Sequence, residues 1–192
     1  MTIVNLFLFS VIAVLVILGL AALLAYNSFV RSRLRCHEAW SGIDVQLKRR
    51  ASLVPNLVEN VKGYAGHERE VLENVTHARA ALQGAHGVVE SAGANNMLSE
   101  ALGRLFAVVE AYPDLKASEN FMELQRELSD LEEKVAYARQ FYNRNVLDYN
   151  TRIRVFPQSA IAGIFDFQPE EFFEAKEAQV EVTVDFARRD QG

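Results

Sequence analysis

His67-Glu68 is the opening half of a zinc-protease signature, in which two histidines four apart on one helical face hold the metal and the glutamate activates water. Position 71, where the second histidine belongs, is Val71, and His37, His77 and His86 stand at no ligand spacing from His67. Glu68 reads better as a first-turn carboxylate facing a helix dipole. The glycines from Gly84 to Gly93 lack the following Gly-Lys-Ser/Thr of a phosphate loop, and no Gly-x-Ser-x-Gly elbow occurs. Glu170-Glu171 reads as a solvated pair, and the single cysteine, Cys36, as a small packing residue that excludes an intrachain disulfide. No cofactor is called for.

Two polar constellations remain. Asp44, Lys48, Arg49, Arg50 and Asn56 crowd one helix together with Glu59 and Asn60, while Tyr142-Asn143 and Tyr149-Asn150 stand seven residues apart and therefore share a helical face. Buried polar groups must be paired, so the first reading is that these residues satisfy one another across a helical bundle and fix its register; the second is a partner-binding surface. Lys48-Arg49-Arg50 lie some 25 Å of helix beyond Arg31, several times the ~8 Å screening length, which argues against lipid headgroups. Their counter-charge is expected from a protein partner or from the acidic run Glu119, Glu123, Glu127, Asp130, Glu132 and Glu133. As a member of a solvated run, Glu132 should contribute under ~0.5 kcal/mol.

These groups need rigid helices to hold them. From Cys36 to Tyr64 large residues recur in steps of three and four, at Trp40, Ile43, Leu47, Val54, Leu57, Val61 and Tyr64, with Arg50 in the one vacant place. Pro55 removes the bond to the Ala51 carbonyl, so a kink is expected there. A second helix starts near His67 and keeps its period through Val71, Val75, Ala78 and Leu82; a third runs through Leu98, Leu102, Leu105, Val109 and Tyr112 in a different phase. One unbroken helix from 67 to 112 would descend about 69 Å against a climb of about 50 Å, so a break over about 85–96 is expected. Ser118 is a candidate N-cap for a fourth, heptad-like helix through Phe121, Leu124, Leu128, Leu131, Val135, Ala138, Tyr142 and Tyr149, which Pro157 stops.

Leu6 to Ala25 is an apolar run relieved only by Ser10 and Gly19, and its 20 residues match a bilayer core of about 30 Å. A cleaved signal peptide would carry a basic n-region, which is absent, so a retained anchor is expected. Tyr26 then takes an interfacial position, and Arg31, Arg33 and Arg35 place the bulk of the chain in the cytoplasm, at the inner membrane of a Gram-negative cell. The fold expected is all-α: an anchor over residues 1–30, a four-helix up-and-down bundle over 31–157 and an amphipathic, acidic tail over 158–192. Residues 158–192 carry three basic and eight acidic side chains, the whole of the net charge of −5, whereas the body is neutral; a nucleic-acid partner would call for a basic face. In the tail, Phe165, Phe167, Phe172 and Phe173 are expected to meet the bilayer surface or to close the lower end of the bundle. Val180, Val182, Val184 and Phe186 alternate with polar residues like a strand.

Ala39-Trp40-Ser41-Gly42-Ile43-Asp44-Val45-Gln46-Leu47-Lys48-Arg49-Arg50, Val54-Pro55-Asn56-Leu57-Val58, Lys62-Gly63-Tyr64-Ala65 and Glu110-Ala111-Tyr112-Pro113-Asp114-Leu115-Lys116-Ala117 closely resemble the LemA family. So do Leu124-Gln125, Tyr142-Asn143, Tyr149-Asn150, Phe156-Pro157 and Phe172-Phe173-Glu174. The resemblance implies a single-pass bacterial membrane protein with a cytoplasmic helical bundle, brings no agreed biochemical activity with it, and suggests membrane metalloproteases or TPM-domain proteins as partners. Three functions are in play. A non-enzymatic scaffold or adaptor binding protein partners, itself, or both is the first reading; a transmembrane signal relay and an enzyme of unrecognised type are its rivals.

Overall fold

The structure, a computed structural model, describes residues 2–64 and 68–174 and is all-α, with no strand among the described residues. His67 and the alternating stretch Val180–Phe186 lie outside them. The order is α1 Thr2–Lys62, α2 Arg69–Gly84, α3 Gly87–Val109, α4 Pro113–Lys116, α5 Glu119–Arg154 and α6 Gln158–Ile164. α1 is one helix of 61 residues. Its N-terminal part is the one helix long and apolar enough to cross a membrane among the described residues, and that apolar window is wholly uncovered by the rest of the chain. Burial begins at Phe29, and from there Cys36, Ile43, Leu47, Val54, Leu57 and Val61 form the seam on which the other helices pack. Tyr64, placed on that seam by its spacing, is exposed because α1 ends at Lys62.

α5 runs antiparallel along α1 over most of its length, with Ser28 beside Arg152, Ser32 beside Asp148, Trp40 beside Tyr142 and Arg50 beside Glu132. α2 and α3 are shorter. At 16 residues α2 descends only about 24 Å, so the α2/α3 hairpin covers the upper part of α1 and its neighbour. Below it, the second layer is supplied by α6 and the extended stretch to Glu174, which pack back on α1 and α5. The bundle is therefore built on the α1/α5 pair, with the α2/α3 hairpin above and the segment after Pro157 below.

The break between α2 and α3 is confined to Ala85-His86, and Gly87 opens α3 with a φ of +78°. Sequence periodicity suggested a longer break because the first turns of α3 bury Ser91, Ala92, Ala94 and Asn95, small or polar residues that carry little apolar signal. At the end of α6, Asp166 adopts φ +53° and the Phe167 N–H reaches back to the Ala162 carbonyl at 3.0 Å. This is the geometry that terminates helices on a left-handed residue, with aspartate in the place glycine usually takes. It turns the chain onto α1 and α5.

Pro55 sits inside α1 without ending it. The Ala51 carbonyl, which Pro55 leaves without its helical donor, accepts a hydrogen bond from Arg79 Nε of α2 at 3.0 Å. A guanidinium from a neighbouring helix thus replaces the missing amide. Arg79→Met should cost about 1.5–3 kcal/mol. In a Pro55→Ala background, where an amide is restored, the same change should cost under ~1 kcal/mol. Chemical denaturation of residues 26–192 measures both; equal costs in the two backgrounds would show that Arg79 acts elsewhere.

Candidate functional site

Tyr142, Asn143, Tyr149 and Asn150 converge on one target, the backbone of the chain's own extended segment. Asn143 donates from Nδ2 to the Phe173 carbonyl (3.1 Å) and accepts from the Phe173 N–H at Oδ1 (2.9 Å). Asn150 does the same with Glu170, at 2.9 Å in both directions. Each carboxamide therefore imitates a strand neighbour, exchanging two bonds with one residue. The phenols add one bond each, Tyr142 to the Glu171 carbonyl and Tyr149 to the Gln168 carbonyl, both at 2.8 Å. The register follows from helix and strand geometry: seven helical residues advance about 10.5 Å, and three extended residues about 10 Å. A heptad step on α5 thus matches a three-residue step on the segment, running the opposite way.

Side chains complete the clamp. Phe173 is 1% exposed and packs against Trp40, with Tyr142 in turn edge-on to the indole. Glu170 meets Arg33 at 2.8 Å, and this hydrogen bond above all raises the guanidinium pKa further. Burial pushes both phenols above their ordinary pKa, so they stay neutral donors. Burial likewise pushes the Cys36 thiol up to about 11, so it rests as the neutral thiol.

The residues α1 contributes to the sequence-derived constellation do not join this clamp. Arg50 is buried on the seam, donating from Nη1 to Asn95 Oδ1 (2.7 Å) and Ser99 Oγ (2.9 Å) of α3, with Glu132 of α5 3.7 Å from Nη2. Its Nε has no partner among the described residues. Burial lowers its pKa and Glu132 opposes that. The acidic run therefore supplies the counter-charge through one member, and Glu132 matters more than a solvated carboxylate would. Asp44 and Lys48 pair with each other on the surface at 2.6 Å. Arg49 and Asn56 are exposed, Asn56 beside Asn60 in a shallow polar cleft with Glu123 and Glu127 of α5.

At the base of the bundle, Tyr26 contacts the rings of Phe165 and Phe167 at centroid distances of 5.0 and 5.6 Å, and Phe167 also meets Phe29. Phe167 is partly buried against the core, whereas Phe165 and Phe172 keep 51% and 40% of their surface. Arg35 reaches Ser32 and Asp148, and Arg31 is exposed. No cluster of three or more metal-ligating side chains occurs among the described residues.

A groove of about 790 Å³ opens between α1 and α5 and shares no lining residue with the clamp. Ala39, Gly42 and Gln46 line it from α1 and Tyr137, Ala138 and Phe141 from α5. Sequence reading passed over Tyr137 and Phe141. Four residues apart and off the heptad seam, they form an aromatic pair on a face otherwise expected to be wet, and that was the available signal.

The sequence model of the LemA family matches residues 39–186, which contain both partners of the clamp. The chain belongs to the LemA family. Among relatives, the LemA-family chain is 27% identical over 182 residues to the magnetosome protein MamQ of Magnetospirillum gryphiswaldense, covering 81% of this chain and 67% of that one. It is 28% identical over 196 residues to magnetosome protein MamQ 2 of Paramagnetospirillum magneticum, covering 88% and 72%. To Protein LemA of Metamycoplasma hominis it is 26% identical over 154 residues, covering 80% and 70%. The clamp thus lies in the part of this LemA-family chain that the family model describes.

Proposed function

We propose that this protein is a membrane-anchored, non-enzymatic scaffold or adaptor whose bundle presents one docking face to protein partners on the cytoplasmic side. The observation that carries this reading is the α1/α5 groove, an apolar crevice walled by Tyr137 and Phe141 that the described residues leave uncovered. Exposed aromatic patches of this kind suit protein contact. In contrast, the polar groups best suited to chemistry hold the chain's own backbone or, in Arg50, a structural pair. The magnetosome names of two relatives attach those proteins to a magnetosome and bring no reaction with them.

Arg31, Arg33 and Arg35 support the cytoplasmic side, and Phe165 beside Tyr26 suits contact with the bilayer surface. The signal-relay reading draws on one observation, the continuity of α1 from the apolar run to the top of the bundle through Pro55. A photo-crosslinking amino acid at Tyr137 or Phe141 of the full chain, irradiated in intact cells, should yield discrete protein adducts that a probe at Glu73 on α2 does not. Absence of adducts from both aromatic positions would contradict the scaffold. Adducts confined to proteins of the outer compartment would contradict the orientation.

A further inference from the structure

The α1/α5 face carries a shape and its complement. Its walls are Tyr137 and Phe141, which keep 74% and 55% of their surface, and its floor is Ala39 and Gly42, where an added Cβ on Gly42 would meet nothing within 4 Å. Phe141 sits level with Ala39 and Gly42 along the antiparallel pair and Tyr137 about one turn higher, because Trp40 is level with Tyr142. Both signs of charge rim the groove, Arg35 with Glu38 toward its lower end and Lys134 with Asp130 and Glu133 toward its upper end. Within the floor, Gln46 Oε1 is buried and accepts no hydrogen bond from the described residues.

We infer that the occupant of this groove is a second copy of the same chain, docked face to face about a twofold axis along the membrane normal. An anchored protein can meet its copy only with both α1 helices pointing the same way, so a twofold relation must have its axis along the normal. Such an axis moves no residue up or down. Phe141 of each copy therefore arrives at the height of Ala39 and Gly42 of the other, and Tyr137 between Gly42 and Gln46, so both hollows fill at once. Neighbouring small residues that admit aromatic knobs also let the two α1 helices approach closely, which continues the contact toward the anchors.

The inference rests on the scaffold reading, since both use this face, and a targeted disulfide separates the two. Two differently tagged full-length copies are co-expressed in a Cys36→Ala background, one with Tyr137→Cys and the other with Gly42→Cys, and oxidised in native membranes. A disulfide joining the two tags is expected, with at least a tenfold lower yield when Glu73→Cys on α2 replaces Tyr137→Cys. Gly42→Leu, which puts bulk into the hollow from a position where an added Cβ meets nothing within 4 Å, should abolish association between tagged copies otherwise wild type while leaving helical content and thermal midpoint unchanged or raised. No disulfide at 137/42, or equal yields with position 73, would overturn self-pairing. If heterologous adducts at Tyr137 persist in that case, the scaffold stands and only the identity of its occupant changes.

Discussion

Tyr142→Ala should lower the folding stability of residues 26–192 by about 3–5 kcal/mol, while Tyr142→Phe should cost only about 1 kcal/mol. The ring is 2% exposed, packs edge-on against Trp40 and helps enclose Phe173, so its removal leaves a cavity in the lower core. The hydroxyl makes a single bond, to the Glu171 carbonyl at 2.8 Å, and its loss is the smaller effect. Asn143→Ala with Asn150→Ala removes four bonds to two residues of the segment and should cost about 2–4 kcal/mol. Part of that cost is recovered because a loosened segment can hydrogen-bond to water. Chemical denaturation reads all three. If Tyr142→Phe cost as much as Tyr142→Ala, the packing of the ring would contribute nothing, against the burial observed.

The second large effect is expected at Arg50. Asn95→Leu should cost about 2–4 kcal/mol, because it removes the shortest hydrogen bond of a buried guanidinium whose Nε is already unpartnered. Arg50→Met together with Asn95→Leu should recover most of that loss, since an apolar pair of similar volume leaves fewer buried polar atoms to satisfy. Glu132→Gln should cost about 0.5–1 kcal/mol, limited by the 3.7 Å separation and by solvent around a carboxylate that keeps 63% of its surface. A double variant as unstable as the sum of its parts would show that Arg50 and Asn95 are not coupled, contrary to the 2.7 Å contact.

The elements that could be read from sequence were those written in large apolar residues. Ile43, Leu47, Val54, Leu57 and Val61 on α1, and Phe121, Leu128, Leu131, Val135, Tyr142 and Tyr149 on α5, are buried as their spacing predicts. The start of α3 was hidden, because Ser91, Ala92 and Ala94 pack by being small, and periodicity weights only bulk. Helix capping was legible in part: Ser118 precedes α5 at the expected place, yet its side chain makes no capping bond.

Arg79 on the Ala51 carbonyl shows a different limit. Pro55 announces that a carbonyl loses its donor, but nothing in the local sequence says which residue of another helix will supply one. The shared face of the two Tyr-Asn pairs was legible from a spacing of seven. Their target was not, because they bind main-chain atoms, and any sequence that stays extended offers the same carbonyls and amides. What specifies the segment lies in its side chains, Phe173 beneath Trp40 and Glu170 on Arg33. These positions look like an acidic, aromatic tail until the partners are known.

Amide hydrogen exchange at Glu170 and Phe173 tests the clamp most directly, because both N–H groups have carboxamide oxygens as their acceptors, on Asn150 and Asn143. In the full chain in detergent or bilayer, both amides should exchange orders of magnitude more slowly than exposed extended backbone. Asn150→Ala should release Glu170 while the amides in the middle of α5 remain protected. Exchange of Glu170 and Phe173 at the rate of free chain in the unaltered protein would contradict the clamp.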